Sequence, residues 1–111
     1  MTDRELLELA AKAAGIEFDF CRPELGGCQI RKSLVSGWWN PLTDDGDALR
    51  LAVKLRLGLV HSWELEDEDA VATVWISHDG QCLAEEIKGD DPYAATRRAI
   101  VRAAAVLGET K

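Results

Sequence analysis

The run Trp38–Leu55, WWNPLTDDGDALRLAVKL, decides the fold. Its Asn40-Pro41 pair biases the chain away from helix at Asn40. Thr43, Asp44 or Asp45 can cap the helix that follows, and the other aspartates suit its positive N-terminal end. Leu42 lies just outside, placed to staple onto the first turns. At ~100° per residue, Ala48, Leu49, Leu51, Ala52, Val53 and Leu55 cover an arc of roughly 200°. Asp47, Arg50 and Lys54 take the remaining face. So wide an apolar arc is expected to be buried against a sheet. The same stretch concentrates two tryptophans and three aspartates, which raises the alternative of a reactive site.

Upstream, TDRE places Thr2 at an N-cap with Glu5 three residues on, a capping box. Leu6, Leu7, Leu9, Ala10, Ala13 and Ala14 form one apolar side, and Gly15 suits the C′ position. IEFDF alternates Ile16, Phe18 and Phe20 with Glu17 and Asp19, which predicts a strand buried on one face. RPELGG is a turn by composition, and CQIRKSLV predicts a second strand. Downstream, Gly58 ends the central helix. LVHSWEL and AVATVWISH are the next strands, separated by the acidic turn EDED. Asp79-Gly80 is a hairpin signal leading into QCLAEEI. The last helix is capped by Asp91 with Pro92 at its first position, and its expected inner stripe is Tyr93, Thr96, Ile100, Ala103, Ala104 and Leu107. The expected architecture is a single α+β domain over residues 1–111. It takes the order α-β-β-α-β-β-α, with an antiparallel or mixed sheet between helices as a three-layer α/β/α sandwich.

Composition fits a globular chain of 111 residues, with 47% hydrophobic and 30% charged residues. No apolar run reaches the length of a membrane span, and the charged N-terminus lacks the pattern of a secretory signal. A cytoplasmic location is therefore expected, with Cys21, Cys28 and Cys82 as free thiols. The net charge of −7 is uneven: Glu64 to Asp91 holds ten acidic residues and one base, Lys88. That balance argues against direct nucleic-acid binding and suits a basic partner.

WNPLTDDGDALRLAVKL and DDPYAATRRAIVRAAAVLGE, together with LLELAAKAAGI, resemble the bacteriophage alpha-beta-alpha sandwich family, short proteins of tailed phages and prophages. The resemblance spans both ends and the centre of the chain. It does not extend to Phe18–Ser36 or to the acidic strand pair. It implies a phage or prophage origin, residence in the bacterial host and the three-layer fold. It implies no established activity and no catalytic residues.

Several residue groups invite a chemical reading. Asp44, Asp45 and Asp47 could ligate a divalent cation, but their spacing departs from the calcium-loop pattern, and capping accounts for two of them. Cys21, Cys28, His78 and Cys82 could form a zinc site, but the Cys21/Cys28 spacing exceeds that of zinc motifs. His61 and His78 fall on separate strands, and no oxyanion cradle accompanies a cysteine. PELGGC lacks the phosphate-loop spacing and its lysine. Arg97, Arg98 and Arg102 form a basic edge, read as a solvated face. Trp63 and Trp75 are expected in the core. Trp38 and Trp39 must point opposite ways on an extended chain, so one of them is expected at the surface, where tryptophan is enriched at binding hot spots.

The expected function is that of a non-enzymatic accessory protein acting by protein–protein contact, with no metal and no cofactor. The candidate interaction surface is Trp38 and Trp39 with the acidic run Glu66, Asp67, Glu68 and Asp69. Its partner is a protein, host-derived and basic in one version, a second copy of the chain in another. One alternative is an acidic inhibitor that imitates nucleic acid to occupy a host defence or nucleic-acid-binding protein. The other is a small metal protein or enzyme.

Overall fold

A computed structural model describes residues 1–30, 37–62 and 73–110. Each helix begins at a polar cap and the first ends at its glycine, but the central helix stops at Lys54 rather than at Gly58, because the chain turns out of it through Arg56 at a positive φ of 57°. Helix α1 (Asp3–Ala14) starts at Thr2, whose hydroxyl oxygen accepts the Glu5 N–H at 3.2 Å. It stops at Gly15, whose left-handed φ of 72° lets its N–H reach back to Ala11 and Lys12. Helix α2 (Asp45–Lys54) is capped by Asp44, which accepts the Asp47 N–H at 2.8 Å. Helix α3 (Pro92–Glu109) is capped by Asp91, which accepts the N–H groups of Tyr93 and Ala94 at 3.1 Å.

The strands form two antiparallel three-stranded sheets. The first joins β1 (Phe18–Arg22), β2 (Gly27–Ile30) and β3 (Gly37–Trp39) in that order, with the single turn Pro23–Leu25 between β1 and β2. The second joins β4 (Gly58–Ser62), β5 (Thr73–His78) and β6 (Gln81–Ile87). The α+β class and the antiparallel pairing stand. The order α-β-β-α-β-β-α is corrected: among the described residues each half holds three strands, not two. Gly37–Trp39, which the expected order did not count as a strand, pairs with β2. Gln81–Ile87 is a full strand beyond the Asp79-Gly80 turn, where both residues take positive φ, 50° and 81°.

The shared core is built around the helices. α1 packs on α3, and α3 also meets α2, β5 and β6, while β1 and β2 rest on α1. The α1–α3 contact is close because both faces are rich in alanine; Ala10, Ala11, Ala14, Ala99, Ala103 and Ala104 are all buried. Gly108 lies directly against the Leu9 carbonyl, and a Cβ there would overlap that oxygen. Because α3 is covered on more than one side, Val101 and Ala105 are buried outside the expected stripe, whereas Tyr93 inside it is exposed.

Two other expectations are corrected. The alternation of Phe18 and Phe20 is broken by an irregularity at Asp19: Phe18 pairs with Ile30, but Phe20 pairs with Gln29. The extra residue turns Phe20 to the opposite face. On α2, Ala48, Leu51 and Ala52 are buried, but Leu49 and Val53 are 62% and 70% exposed. The apolar arc is real, and only part of it is covered.

Candidate functional site

The first sheet sorts its side chains into two rows. Cys21, Cys28 and Trp39 are direct cross-strand neighbours on the inner face, all buried. Phe20, Gln29 and Trp38 form the outer row. Adjacent residues on a strand face opposite ways, so Trp39 is 5% exposed and Trp38 46%. The question left open by the sequence is thereby answered: Trp38 is the outward tryptophan.

Trp38 is held on several sides. Its ring meets Phe20 edge-on, with centroids 5.9 Å apart and planes at 72°, an arrangement that favours aromatic pairs. The indole lies over Gly26, where a Cβ would come within 3.3 Å of its ring carbons. The Arg22 guanidinium carbon lies 5.8 Å from the Phe20 centroid, a cation–π contact. Exposed Leu25 belongs to the turn beside them. Gly27 has φ of +116°, and a side chain there would strike the Trp39 carbonyl and Asn40. Only glycine therefore allows β2 to enter beneath Trp39.

Behind this surface Cys21 and Cys28 form a disulfide. The expectation of free thiols is corrected for these two; Cys82 is free and exposed. The hairpin register sets Cys21 opposite Cys28, which a sequence separation of 7 does not reveal by itself. The bridge removes both sulfurs from any zinc set, and Cys82 and His78 lie on the other sheet. Among the described residues no group of three or more His, Cys, Asp or Glu side chains is placed to hold a metal ion.

The aspartates of the central stretch are each engaged. Asp44 caps α2. Asp47 accepts the Asn40 N–H at 3.0 Å and the Arg50 guanidinium at 2.8 Å. Asp45 pairs with Arg97 at 2.7 Å, and Arg97 also donates to the Leu42 carbonyl at 2.9 Å. The basic edge of α3 is paired throughout. Arg98 meets Asp3 at 3.1 Å, and Arg102 meets Glu86 at 2.7 Å. These arginines join elements rather than present a free phosphate site.

A second exposed apolar region lies between α2, α3 and β4. A groove of about 430 Å³ is lined by Leu49, Leu59, His61, Tyr93 and Ile100, among others. Burial, and then the charge of Lys88, hold the His61 imidazole below its ordinary range. Burial also holds the Lys88 ammonium below its usual value.

Of the expected surface residues, Trp38 is exposed, Trp39 is core, and Glu66, Asp67, Glu68 and Asp69 lie outside the described residues, as does Trp63. Trp75 is half-buried rather than core. Phe20, Arg22 and Leu25 join the surface without having been expected there. The signal for Phe20 would have been the bulge, which depends on pairing with β2. No helix of the described residues is long and apolar enough to cross a membrane. Comparison with known proteins yields no match: no family model fits the chain, and no curated protein or solved structure is found to be similar.

Proposed function

We propose that the protein is a small phage or prophage accessory protein that works by binding another protein through the outer face of the β1–β2–β3 sheet. The observation that carries this reading is the outward Trp38, fixed against Phe20 and Gly26, with Arg22 over the Phe20 ring. Tryptophan and arginine are the residues most enriched at binding hot spots, and an anchor held in one position before contact loses little entropy on binding. The disulfide and Trp39 brace the opposite face, and the strand that carries the anchor pairs along the bridged β1–β2 hairpin. The phage origin, the three-layer arrangement and action inside the bacterial host come from the resemblance of the Trp39–Leu55 and Asp90–Glu109 segments to the alpha-beta-alpha sandwich family.

The test is affinity capture from bacterial host cells with the full chain as bait, run beside Trp38→Ala and Phe20→Ala. A protein enriched by the wild type and lost by both variants, with unchanged circular dichroism, supports the reading. Identical captures by all three baits would remove its basis.

A further inference from the structure

Strand β4 ends its sheet: the order is β4-β5-β6, and no described strand pairs with its outer side. Gly58, Leu59, Val60 and His61 are all exposed. Sheet edges in soluble proteins are commonly blunted by lysine, proline or a bulge, because an open edge pairs with other chains. The sequence GLVHS has neither residue, and its register with β5 runs from Gly58↔Ser77 to Ser62↔Thr73 without a shift.

The uncovered part of α2 lies beside this edge. Leu49 and Val53 are one helical turn apart on a single stripe, and Leu49 shares the groove with Leu59 and Tyr93. We propose that the protein is a homodimer in which β4 of two copies pairs antiparallel across a two-fold axis, with α2 of each copy covering the other's exposed stripe.

A second copy fits for three reasons. The first is self-complementarity, which a two-fold interface requires. Centred on Val60, antiparallel pairing sets Val60 against its equivalent, Leu59 opposite His61 and Gly58 opposite Ser62. The second is charge. β4 has no acidic or basic residue besides His61, whose lowered pKa keeps it neutral at pH 7. The carboxylates of α2 are already paired within the chain, Asp45 with Arg97 and Asp47 with Arg50. Joining two copies of a chain of net charge −7 thus brings no unpaired carboxylate from these elements onto the seam. The third is area. Leu49, Val53, Leu59, Val60 and Tyr93 are between 37% and 70% exposed and offer five large apolar side chains to such a contact. The strand backbone and groove rim add to this, toward the area of about 800 Å² per partner in a stable interface.

The test is light scattering coupled to size-exclusion chromatography of the full chain over the micromolar range. It is run beside Val60→Lys, which blunts the edge, and Leu49→Lys/Val53→Lys, which alters only the exposed helix stripe. The expected result is a wild type of twice the chain mass and both variants at single mass with wild-type circular dichroism. If Val60→Lys fails to fold, the helix variant decides alone, since both its positions face solvent in one copy. A wild type that stays at single mass overturns the proposal, as does a dimer that survives the variants. A dimer lost only in Trp38→Ala places the contact on the other sheet and overturns it equally. The first two of these outcomes leave a heterologous partner at Trp38 untouched, whereas the last would put a second copy on that surface.

Discussion

Trp38 and Trp39 are consecutive residues of one short strand, yet one lies on the surface and the other is buried beside Cys28 in the core. Their substitutions should therefore separate cleanly. Trp39→Ala opens a large cavity and is expected to cost about 3–5 kcal/mol. Trp38→Ala loses an edge-on aromatic contact at the surface and should cost about 0.5–1.5 kcal/mol. Urea denaturation followed by circular dichroism measures both. Equal losses would mean that the two rings do not lie on opposite faces.

The three aspartates of the central stretch are expected to differ in rank. Asp47→Ala leaves the Asn40 N–H, on a buried residue, without its acceptor and should cost about 1–3 kcal/mol. Asp44→Ala removes a helix cap worth about 1 kcal/mol. Asp45→Ala breaks an ion pair whose carboxylate is exposed, worth up to about 1 kcal/mol. Calcium or magnesium should leave the melting temperature unchanged. A shared cation site would instead show three similar losses and stabilisation by the ion.

Gly108 tests the α1–α3 contact. Alanine is the better helix former by about 1 kcal/mol in an exposed helix interior. Here its Cβ would meet the Leu9 carbonyl, a backbone atom that moves only with its helix. Overpacking of this kind typically costs about 1–3 kcal/mol, so Gly108→Ala should lower stability on balance. A neutral or raised melting temperature would show that the helices are further apart.

Much of this architecture was legible because its signals are local. Thr2, Gly15 and Asp91 cap their helices as read, and Asp44 is the one of the three candidates Thr43, Asp44 and Asp45 that caps the central helix, since a cap depends on residues within one turn. The features missed depend on pairing. Gly37–Trp39 is three residues long and becomes a strand only through β2. Phe20 turns outward because of a bulge visible only in the β1–β2 register. The same register brings Cys21 to Cys28. Periodicity placed Leu49 and Val53 on the apolar side of α2, but it carries no information on how far neighbouring elements cover that side. The candidate surface was half legible for the same reason. Alternation required one of the two tryptophans to point outward, and only the sheet shows which.

The Cys21–Cys28 bridge can be weighed and timed. Closing a loop of this length removes roughly 2.5 kcal/mol of chain entropy from the unfolded state. Cys21→Ser/Cys28→Ser should lose about that much in urea denaturation. Disulfides persist mainly in oxidising surroundings, which sets this bridge against action in a bacterial cytoplasm. Intact mass of protein alkylated at lysis separates the cases. A chain carrying one blocked thiol, at Cys82, has the bridge in the cell. Three blocked thiols mean that it forms afterwards.

His61 and Lys88 give the protein a defined pH response. Burial, then the charge of Lys88, lowers the His61 pKa, and burial lowers that of Lys88. In each case the unfolded chain keeps the higher, ordinary value and binds more protons in the window between the two. Stability therefore rises with pH across each window. For His61 the window lies just below the ordinary imidazole value of about 6.5, so its contribution is present at pH 7 and is lost on acidification through the folded value. For Lys88 the window lies below about 10.4, so stability should be gained on approaching that pH from neutrality. Carboxylates titrate at lower pH in every variant, so the informative quantity is a difference. The melting temperature of the wild type should fall relative to that of His61→Asn as pH drops from neutrality through the imidazole range. Melting temperatures of wild type and Lys88→Met should shift in favour of the wild type between neutrality and about pH 10. Parallel curves for either pair would mean that its pKa is the same in the folded and unfolded chain.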